Sequence, residues 1–134
     1  MSLWGSRNPK NNDYTATGAN SPLGRVQAVH DKGLIWMQPV SYQDERPRSS
    51  IYDEAENITN LRNTWQIAMA SNSEWVQLVT WNDYAEGSQL APSQKHGWGP
   101  LDLASYYLTQ YKTGSAPAIV RDSVLLTHRT QPYA

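Results

Sequence analysis

The sequence predicts an α/β fold with parallel strands, and three observations support that class. Apolar runs typical of buried strands alternate with amphipathic segments along the chain, an order that implies βαβ units. Both clear strand-like runs precede long polar loops, whereas the links from helix to strand are short. In α/β folds the loops that follow the strands build the active site. We therefore expect the chemistry in residues 41–56 and 83–100.

Hydrophobic spacing and end signals predict the individual elements. Strands are expected at residues 34–40 and 75–82, and residues 41–56 between the first strand and the next helix are expected to be a loop. Helices are expected at residues 21–33, 57–71 and 101–114. A final extended stretch is expected at residues 123–127.

The helix ends carry their own signals. Ser21 can cap the first helix and Pro22 suits its first position. Asn57 or Thr59 is the expected cap of the second helix. Gly33 and Gly114 suit the left-handed positions that end helices. Within these elements we expect Trp65 and Trp36 to pack in the core.

Composition narrows the class of partner. The chain has 134 residues, room for one domain, and a net charge of −1 from 11 basic and 12 acidic residues. This balance argues against nucleic acid or an anionic membrane as a partner. The chain shows neither an apolar run long enough to span a membrane nor a signal-peptide pattern. It has no cysteine, which excludes disulfides and thiolate metal sites.

Aromatic usage is skewed toward side chains that suit sugars. The chain has six tryptophans, eight tyrosines and no phenylalanine. Tryptophan and tyrosine combine a flat apolar face with a polar group. This favours a carbohydrate ligand, although chance in a short chain explains the count equally well.

Two carboxylates follow the second predicted strand in the stretch TWNDYAEGSQ. Asp83 stands at the predicted strand end and Glu86 follows three residues later. Glycosidic bond cleavage uses two carboxyl groups, one as proton donor and the other as base or nucleophile. Gly87 permits a sharp turn there. The same D-x-x-E spacing also suits a capped or solvated turn, so both interpretations remain open.

Other kinds of site are less favoured. His30, His96 and His128 lack metal-ligand spacing. The acidic residues between 44 and 56 could hold calcium, but without an EF-hand pattern they favour a solvated loop. Serine-hydrolase, dinucleotide and phosphate-loop motifs are absent. We therefore predict neither a cofactor nor a metal.

Several motifs together resemble glycoside hydrolase family 71, the endo-α-1,3-glucanases or mutanases. WVQLVTWNDYAEGSQLAPS resembles the signature around the eighth barrel strand, and WMQPVSYQDERP resembles the seventh strand with its loop. YYLTQYKTGSAPAIVRDSVLLTHR resembles the segment that leaves the barrel in bacterial members. The similarity covers about residues 4–129. The WNEWxEG motif of family 99-like hydrolases is the nearest competitor, with Asp83 in place of its glutamate.

The resemblance implies a (β/α)8 TIM barrel followed by a small β-rich region. Because such a barrel needs about 250 residues, this chain would supply only its last two to three βα units. We expect residues 1–114 to be the C-terminal portion of the barrel and residues 115–134 to begin the β segment. The chain is then a fragment or a truncated relative, whose full-length parent is expected to be secreted.

The resemblance also implies an activity, namely inverting hydrolysis of α-1,3-glucan with Asp83 and Glu86 as the catalytic pair. We assign Asp83 as base and Glu86 as acid. Strand alternation predicts that Trp81 points into the barrel with Asp83. The residues expected to bind substrate are Trp81, Asn82, Tyr84, His96, Trp98, Ser41 and Gln43.

Two other functions remain open beside this one. The chain could be a non-catalytic carbohydrate-binding module that uses its tryptophans and tyrosines, or a family 99-like α-glycan hydrolase. The expected partner in each case is a polysaccharide, an α-glucan in the main interpretation. A homo-oligomer is expected if the open strand edges are completed in trans.

Overall fold

The computed structural model describes residues 1–128 and confirms the α/β class, with a parallel strand pair. The α-helices within that range are α1 (Pro22–His30), α2 (Thr59–Ala70) and α3 (Gly99–Thr113). The strands are β1 (Met37–Ser41), β2 (Asp44–Arg46), β3 (Ile51–Asp53) and β4 (Trp75–Val79). No helix among the described residues is long and apolar enough to cross a membrane.

The two predicted strands pair in parallel as β1 and β4, from Met37 opposite Trp75 to Ser41 opposite Val79. The predicted bounds were wrong at two ends. At the start of β1, Leu34 still donates its N–H to the Val29 carbonyl of α1 (3.3 Å). At the end of β4, the Thr80 N–H turns away from β1 and donates to the Ser88 carbonyl (3.1 Å). These backbone hydrogen bonds, which join residues five and eight positions apart, therefore shorten both strands.

The segment expected to be a plain loop after β1 contains a small hairpin. Strands β2 and β3 pair antiparallel, with Asp44 opposite Asp53. A 3-10 turn at Pro47–Ser49 joins them, and Ser50 takes a left-handed conformation after it (φ 55°). Each strand has only three residues, which is too short for alternation to show in the sequence.

Helix α1 begins as its end signals predict, but it ends at His30, before the expected stop at Gly33. The Ser21 side chain accepts a hydrogen bond from the Gly24 N–H (3.0 Å), and Pro22 occupies the first turn. Gly33 adopts the left-handed conformation (φ 67°). Val26 and Val29 pack with Trp36 in a small buried cluster.

Helix α2 carries the main core. Leu61 and Trp65 are fully buried and pack with Val40 and Tyr42 of the β1 side. The expected cap was wrong, because Ile58 occupies the N-cap position and makes no side-chain cap bond.

Helix α3 covers the same core and ends at Gly114 (φ 73°), as predicted. The Tyr107 ring stacks on Trp65 with centroids 6.3 Å apart. The Tyr111 hydroxyl donates to the Ser73 carbonyl, which ties α3 to the turn before β4.

Residues 115–128 form neither helix nor strand, so the extended stretch at 123–127 was wrong as a strand. The segment returns along the molecule. Arg121 pairs with Asp102 of α3 (2.5 Å), and the Thr127 hydroxyl donates to the Asn57 carbonyl (2.9 Å). The rest of the predicted β segment, residues 129–134, lies outside the described residues.

The start of the chain lies along the outer edge of β1. Met1 donates its amino group to the Ile35 carbonyl (2.6 Å) and accepts from the Met37 N–H (2.8 Å). The Trp36 carbonyl faces the opposite way and accepts from Trp75 at the start of β4. Met1 and β4 therefore flank β1 on its two sides.

Candidate active site

The carboxylates Asp83 and Glu86 lie in a tight turn that follows β4. The Asp83 N–H donates to Thr80 Oγ1 (3.3 Å), and Asp83 Oδ1 accepts from the Glu86 N–H (3.3 Å). This second bond explains the spacing of three residues, since an aspartate commonly accepts from a backbone N–H further along a turn. The capped turn expected as the structural alternative is therefore present, and both carboxylates are partly exposed in it.

The turn lies at the carboxyl end of the parallel pair, where the loops after β1 and β4 meet as predicted. The Glu45 N–H donates to the Glu86 carbonyl (2.7 Å). Gln43 donates its side-chain amide to the Gly87 carbonyl (2.8 Å). Gly87 has φ 61° and stands close to Glu45, which favours glycine at this position. The β2 segment thus fixes the backbone around Glu86.

Glu86 belongs to an ion-pair cluster of four side chains, Arg7, Asp44, Arg46 and Glu86. The Arg7 guanidinium hydrogen-bonds Glu86 and lies 3.2 Å from Asp44 Oδ2. Arg46 binds Asp44 through Nε (2.8 Å) and Nη2 (2.7 Å), and its Nη1 lies 3.3 Å from Glu86 Oε1. Each carboxylate therefore contacts both guanidinium groups.

The arginines stabilise Glu86 in its ionised form. The hydrogen bond from Arg7 lowers the pKa of Glu86 below its usual value, and the charges of Arg7 and Arg46 act in the same direction against partial desolvation. A general acid needs the opposite shift, because it must hold its proton near neutral pH. The environment of Glu86 therefore favours the carboxylate, which is the form that a base or nucleophile uses.

Sequence reasoning missed Arg7, which is 79 residues from Glu86 in the chain. Its side chain is nearly buried, and its carbonyl accepts a hydrogen bond from the Asn60 amide (3.0 Å). A lone arginine in a polar N-terminal loop carries no local signal of such a contact. Arg46 and Asp44 lie in the loop that was predicted to hold chemistry, but their pairing was not predicted.

The aromatic side chains predicted to bind substrate are exposed at this end of the molecule. Trp81, Tyr84 and Trp98 keep 54%, 56% and 64% of their surface in solvent. The expected inward direction of Trp81 from strand alternation does not apply, because β4 ends at Val79. The Ala91 N–H donates to the Trp81 carbonyl (2.8 Å), so the segment leading to Trp98 starts beside Trp81. Asn82 is also exposed.

The other predicted ligand residues are less accessible. His96 is partly buried and shares a hydrogen bond with the Gln89 amide (3.1 Å). Burial lowers the pKa of His96 below 6.5, with a smaller effect from the charge of Lys95. Ser41 is fully buried and Gln43 is only 3% exposed. Gln43 therefore stabilises the turn that contains Glu86, through its bond to the Gly87 carbonyl. Ser41 lies out of reach of a ligand in this arrangement.

Groups of three or more histidines and carboxylates that could hold a metal are absent from residues 1–128. The acidic residues that could have held calcium instead make separate contacts. Asp44 pairs with two arginines, and Asp53 lies opposite it across the hairpin. Burial and the Asp44 charge raise the pKa of Asp53, and the charges of Arg46 and Arg7 partly oppose them.

Comparison with known proteins shows similarity in fold only. Neither a protein-family model nor a curated protein sequence matches the chain. Two similar solved structures are both of the GH99 endo-α-mannosidase from Bacteroides thetaiotaomicron. The structure in complex with BIS-TRIS-propane is 15% identical in sequence to this chain. It has a TM-score of 0.61 and covers 77% of this chain. The second structure is 13% identical, with a TM-score of 0.66 over 87% of this chain.

These similarities show that the chain shares part of the fold of the two mannosidase structures. The chain spans 39% of the length of both mannosidase chains. Its parallel pair and the helices that cover it are consistent with part of a barrel. At such low identity the likeness concerns architecture, and it does not single out family 71.

Proposed function

We propose that this chain is part of a glycoside hydrolase that cleaves α-glycosidic bonds with Asp83 and Glu86. One observation carries the proposal. Both carboxylates lie in the turn at the carboxyl end of a parallel strand pair, and Glu86 there pairs with two arginines. The similarity in fold to endo-α-mannosidase structures supports the same class of enzyme.

The environment of Glu86 suggests how the two carboxylates divide the chemistry. Ionised Glu86 accepts a proton from a water molecule as the water oxygen bonds to the anomeric carbon. Asp83 donates a proton to the leaving glycosidic oxygen as the bond between that oxygen and the anomeric carbon breaks. This is the inverting reaction that the resemblance to family 71 implies. It exchanges the two roles that the sequence suggested.

The proposed substrate is an α-1,3-glucan, on the strength of the motifs shared with family 71. An α-mannan is the second candidate, favoured by the fold of the two mannosidase structures. The exposed faces of Trp81, Tyr84 and Trp98 would support sugar rings beside the carboxylates. From the expected polymeric substrate we also propose an extracellular location for the full-length enzyme.

The 134-residue chain should hydrolyse glycans poorly by itself. Its described residues contain two parallel strands, whereas a closed barrel has eight parallel strands. The remaining walls of the site would come from further strands, either in a longer chain or from a second copy that pairs in trans. Sedimentation would reveal the second arrangement as an oligomer.

The purified chain tests these proposals by glycan binding and release of reducing sugar. We expect binding to α-1,3-glucan, or to α-mannan in the second case, that weakens in Trp81→Ala and Trp98→Ala. Trp75→Ala is the matched control, because Trp75 is equally exposed (60%) but lies at the opposite end of β4. Absence of binding to both glycans would overturn the proposed substrates.

The catalytic pair needs its own variants, Asp83→Asn and Glu86→Gln. Any residual hydrolysis should disappear in both. Robust Glu86-dependent hydrolysis by the isolated chain would contradict the expected incompleteness of the site. Binding without hydrolysis that survives both substitutions would instead favour a carbohydrate-binding module.

A further inference from the structure

Arg7 lies in the N-terminal loop and contacts Glu86, which is 79 residues further along the chain. Its side chain is only 8% exposed and reaches two carboxylates, those of Asp44 and Glu86. Both contacts involve the same terminal nitrogen, Nη1. Because Asp44 is itself 4% exposed, the Arg7 charge is held away from bulk water. Charge pairs in such surroundings are screened less than surface pairs.

The backbone at Arg7 is anchored from the opposite side. The Asn60 amide donates to two carbonyls, of Arg7 (3.0 Å) and Tyr42 (3.1 Å). Asn60 Oδ1 accepts in turn from the Asn12 amide (2.9 Å). Asn60 is fully buried in the first turn of α2. One side chain therefore joins the N-terminal loop, the end of β1 and α2, and this fixes where the guanidinium can reach.

Arg46 cannot replace Arg7 in this arrangement. Arg46 is 35% exposed and directs its two short hydrogen bonds to Asp44, while its approach to Glu86 is longer, at 3.3 Å. Asp44 therefore takes two of the five N–H donors of Arg46 through short bonds. Arg7 provides the direct hydrogen bond to Glu86.

We propose that Arg7 is a positioning residue for Glu86, holding its carboxylate oriented and ionised beside Asp83. The inference rests on the proposed function and extends it to a loop near the start of the chain. Arg7 itself need not touch substrate, because it acts through Glu86. A purely structural ion pair would add stability but would leave the behaviour of Glu86 toward a glycan unchanged.

The first test is a carbon-13 carboxyl titration of Glu86 by nuclear magnetic resonance. Arg7→Met removes the charge but keeps much of the side-chain volume, and it should raise the pKa of Glu86. Arg46→Met should raise it less. Arg62→Met, an exposed residue of α2, is the control and should leave it as in the wild type. A pKa of Glu86 that is the same in a folded Arg7→Met variant overturns the inference.

Arg7→Lys keeps the experiment decisive if the methionine variant does not fold. A lysine retains the charge but lacks the planar fork. It should therefore keep much of the charge effect on the pKa of Glu86 but orient the carboxylate less well. The Glu86 signal of this variant should respond less than wild type to an added α-1,3-linked gluco-oligosaccharide, and an equal response overturns the inference.

The second test separates this inference from the proposed function. An α-1,3-linked gluco-oligosaccharide is added while the signals of the Glu86 carboxyl and the Trp81 indole are followed. In wild type both should move. In Arg7→Met the Trp81 signal should still move while the Glu86 response is reduced. An equal Glu86 response in both proteins overturns the positioning role, whereas no response of either signal in wild type overturns the proposed function.

Discussion

The imidazole ring of His96 meets the ring of Tyr42 edge-on, with the centroids 5.5 Å apart and the planes at 78°. This contact joins the loop after β4 to the residue that follows β1. Tyr42 is fully buried, and burial raises the pKa of its hydroxyl to about 12. The His96 ring is therefore partly removed from water, and a charged imidazolium is unfavourable there.

The first prediction concerns pH. Because burial lowers the pKa of folded His96 below the unfolded value near 6.5, the unfolded chain binds the proton more readily. The stability from neutral His96 is fully present above pH 6.5 and is lost as the pH falls through the lower folded pKa. His96→Phe keeps an aromatic edge but cannot titrate, so its melting temperature should fall less from pH 7 to pH 5. An equal fall in the two proteins would contradict this.

Glu86 should also contribute to acid sensitivity. Its folded pKa lies below the unfolded value near 4.5, because Arg7 and Arg46 favour the carboxylate. The linked stability is present above pH 4.5 and is lost as the pH falls through the lower folded pKa. Urea unfolding between pH 7 and pH 3 should show a smaller loss in Glu86→Gln than in wild type. The difference between the two proteins in this loss of stability should be smaller when both also carry Arg7→Met, because that substitution removes the main partner of Glu86.

Trp65 should dominate the stability of the core. It is fully buried and stacks against Tyr107, so Trp65→Ala should lower the free energy of unfolding by about 3–5 kcal/mol. Trp75→Ala makes the same chemical change at an exposed position and should cost within about 0.5 kcal/mol. Chemical denaturation measures both. Similar losses in the two variants would show that Trp65 is not the centre of the core.

Gly114 ends α3 in a left-handed conformation, with open space at the position that a Cβ would take. Gly114→Ala should therefore destabilise through backbone strain alone, by about 1–2 kcal/mol. Gly5 also has open space around it but lacks the positive φ, so Gly5→Ala should be close to neutral. Equal unfolding free energies for the two variants would contradict the proposed strain.

Local patterns predicted the elements whose signals lie within a few residues. The helices and the parallel pair followed from hydrophobic spacing, and the Ser21 cap and the Gly114 stop followed from their own chemistry. Errors arose where single hydrogen bonds without a sequence signal decide the outcome. Ser88 draws Thr80 away from β1, and the short β2–β3 hairpin has no periodic signal.

The candidate site was likewise predicted from the sequence only in part. Asp83 and Glu86 could be singled out because their spacing and their place after a strand are visible in the sequence. The partners of Glu86 could not, because Arg7 lies in a polar loop and Asn60 lies in the first turn of a helix. Only folding brings those segments together.

The position of Asn60 bears on the order in which the molecule assembles. Asn60 bonds to Arg7 and Tyr42, which are 53 and 18 residues away, and Arg7 bonds to Glu86, which is 79 residues away. Closing such long loops costs chain entropy before any contact compensates for it. Helix α2 can form from local contacts. The surroundings of Glu86, in contrast, are complete only when Asn60 has bonded to Arg7 and Arg7 has bonded to Glu86. We therefore expect the candidate site to be among the last regions to reach its native arrangement.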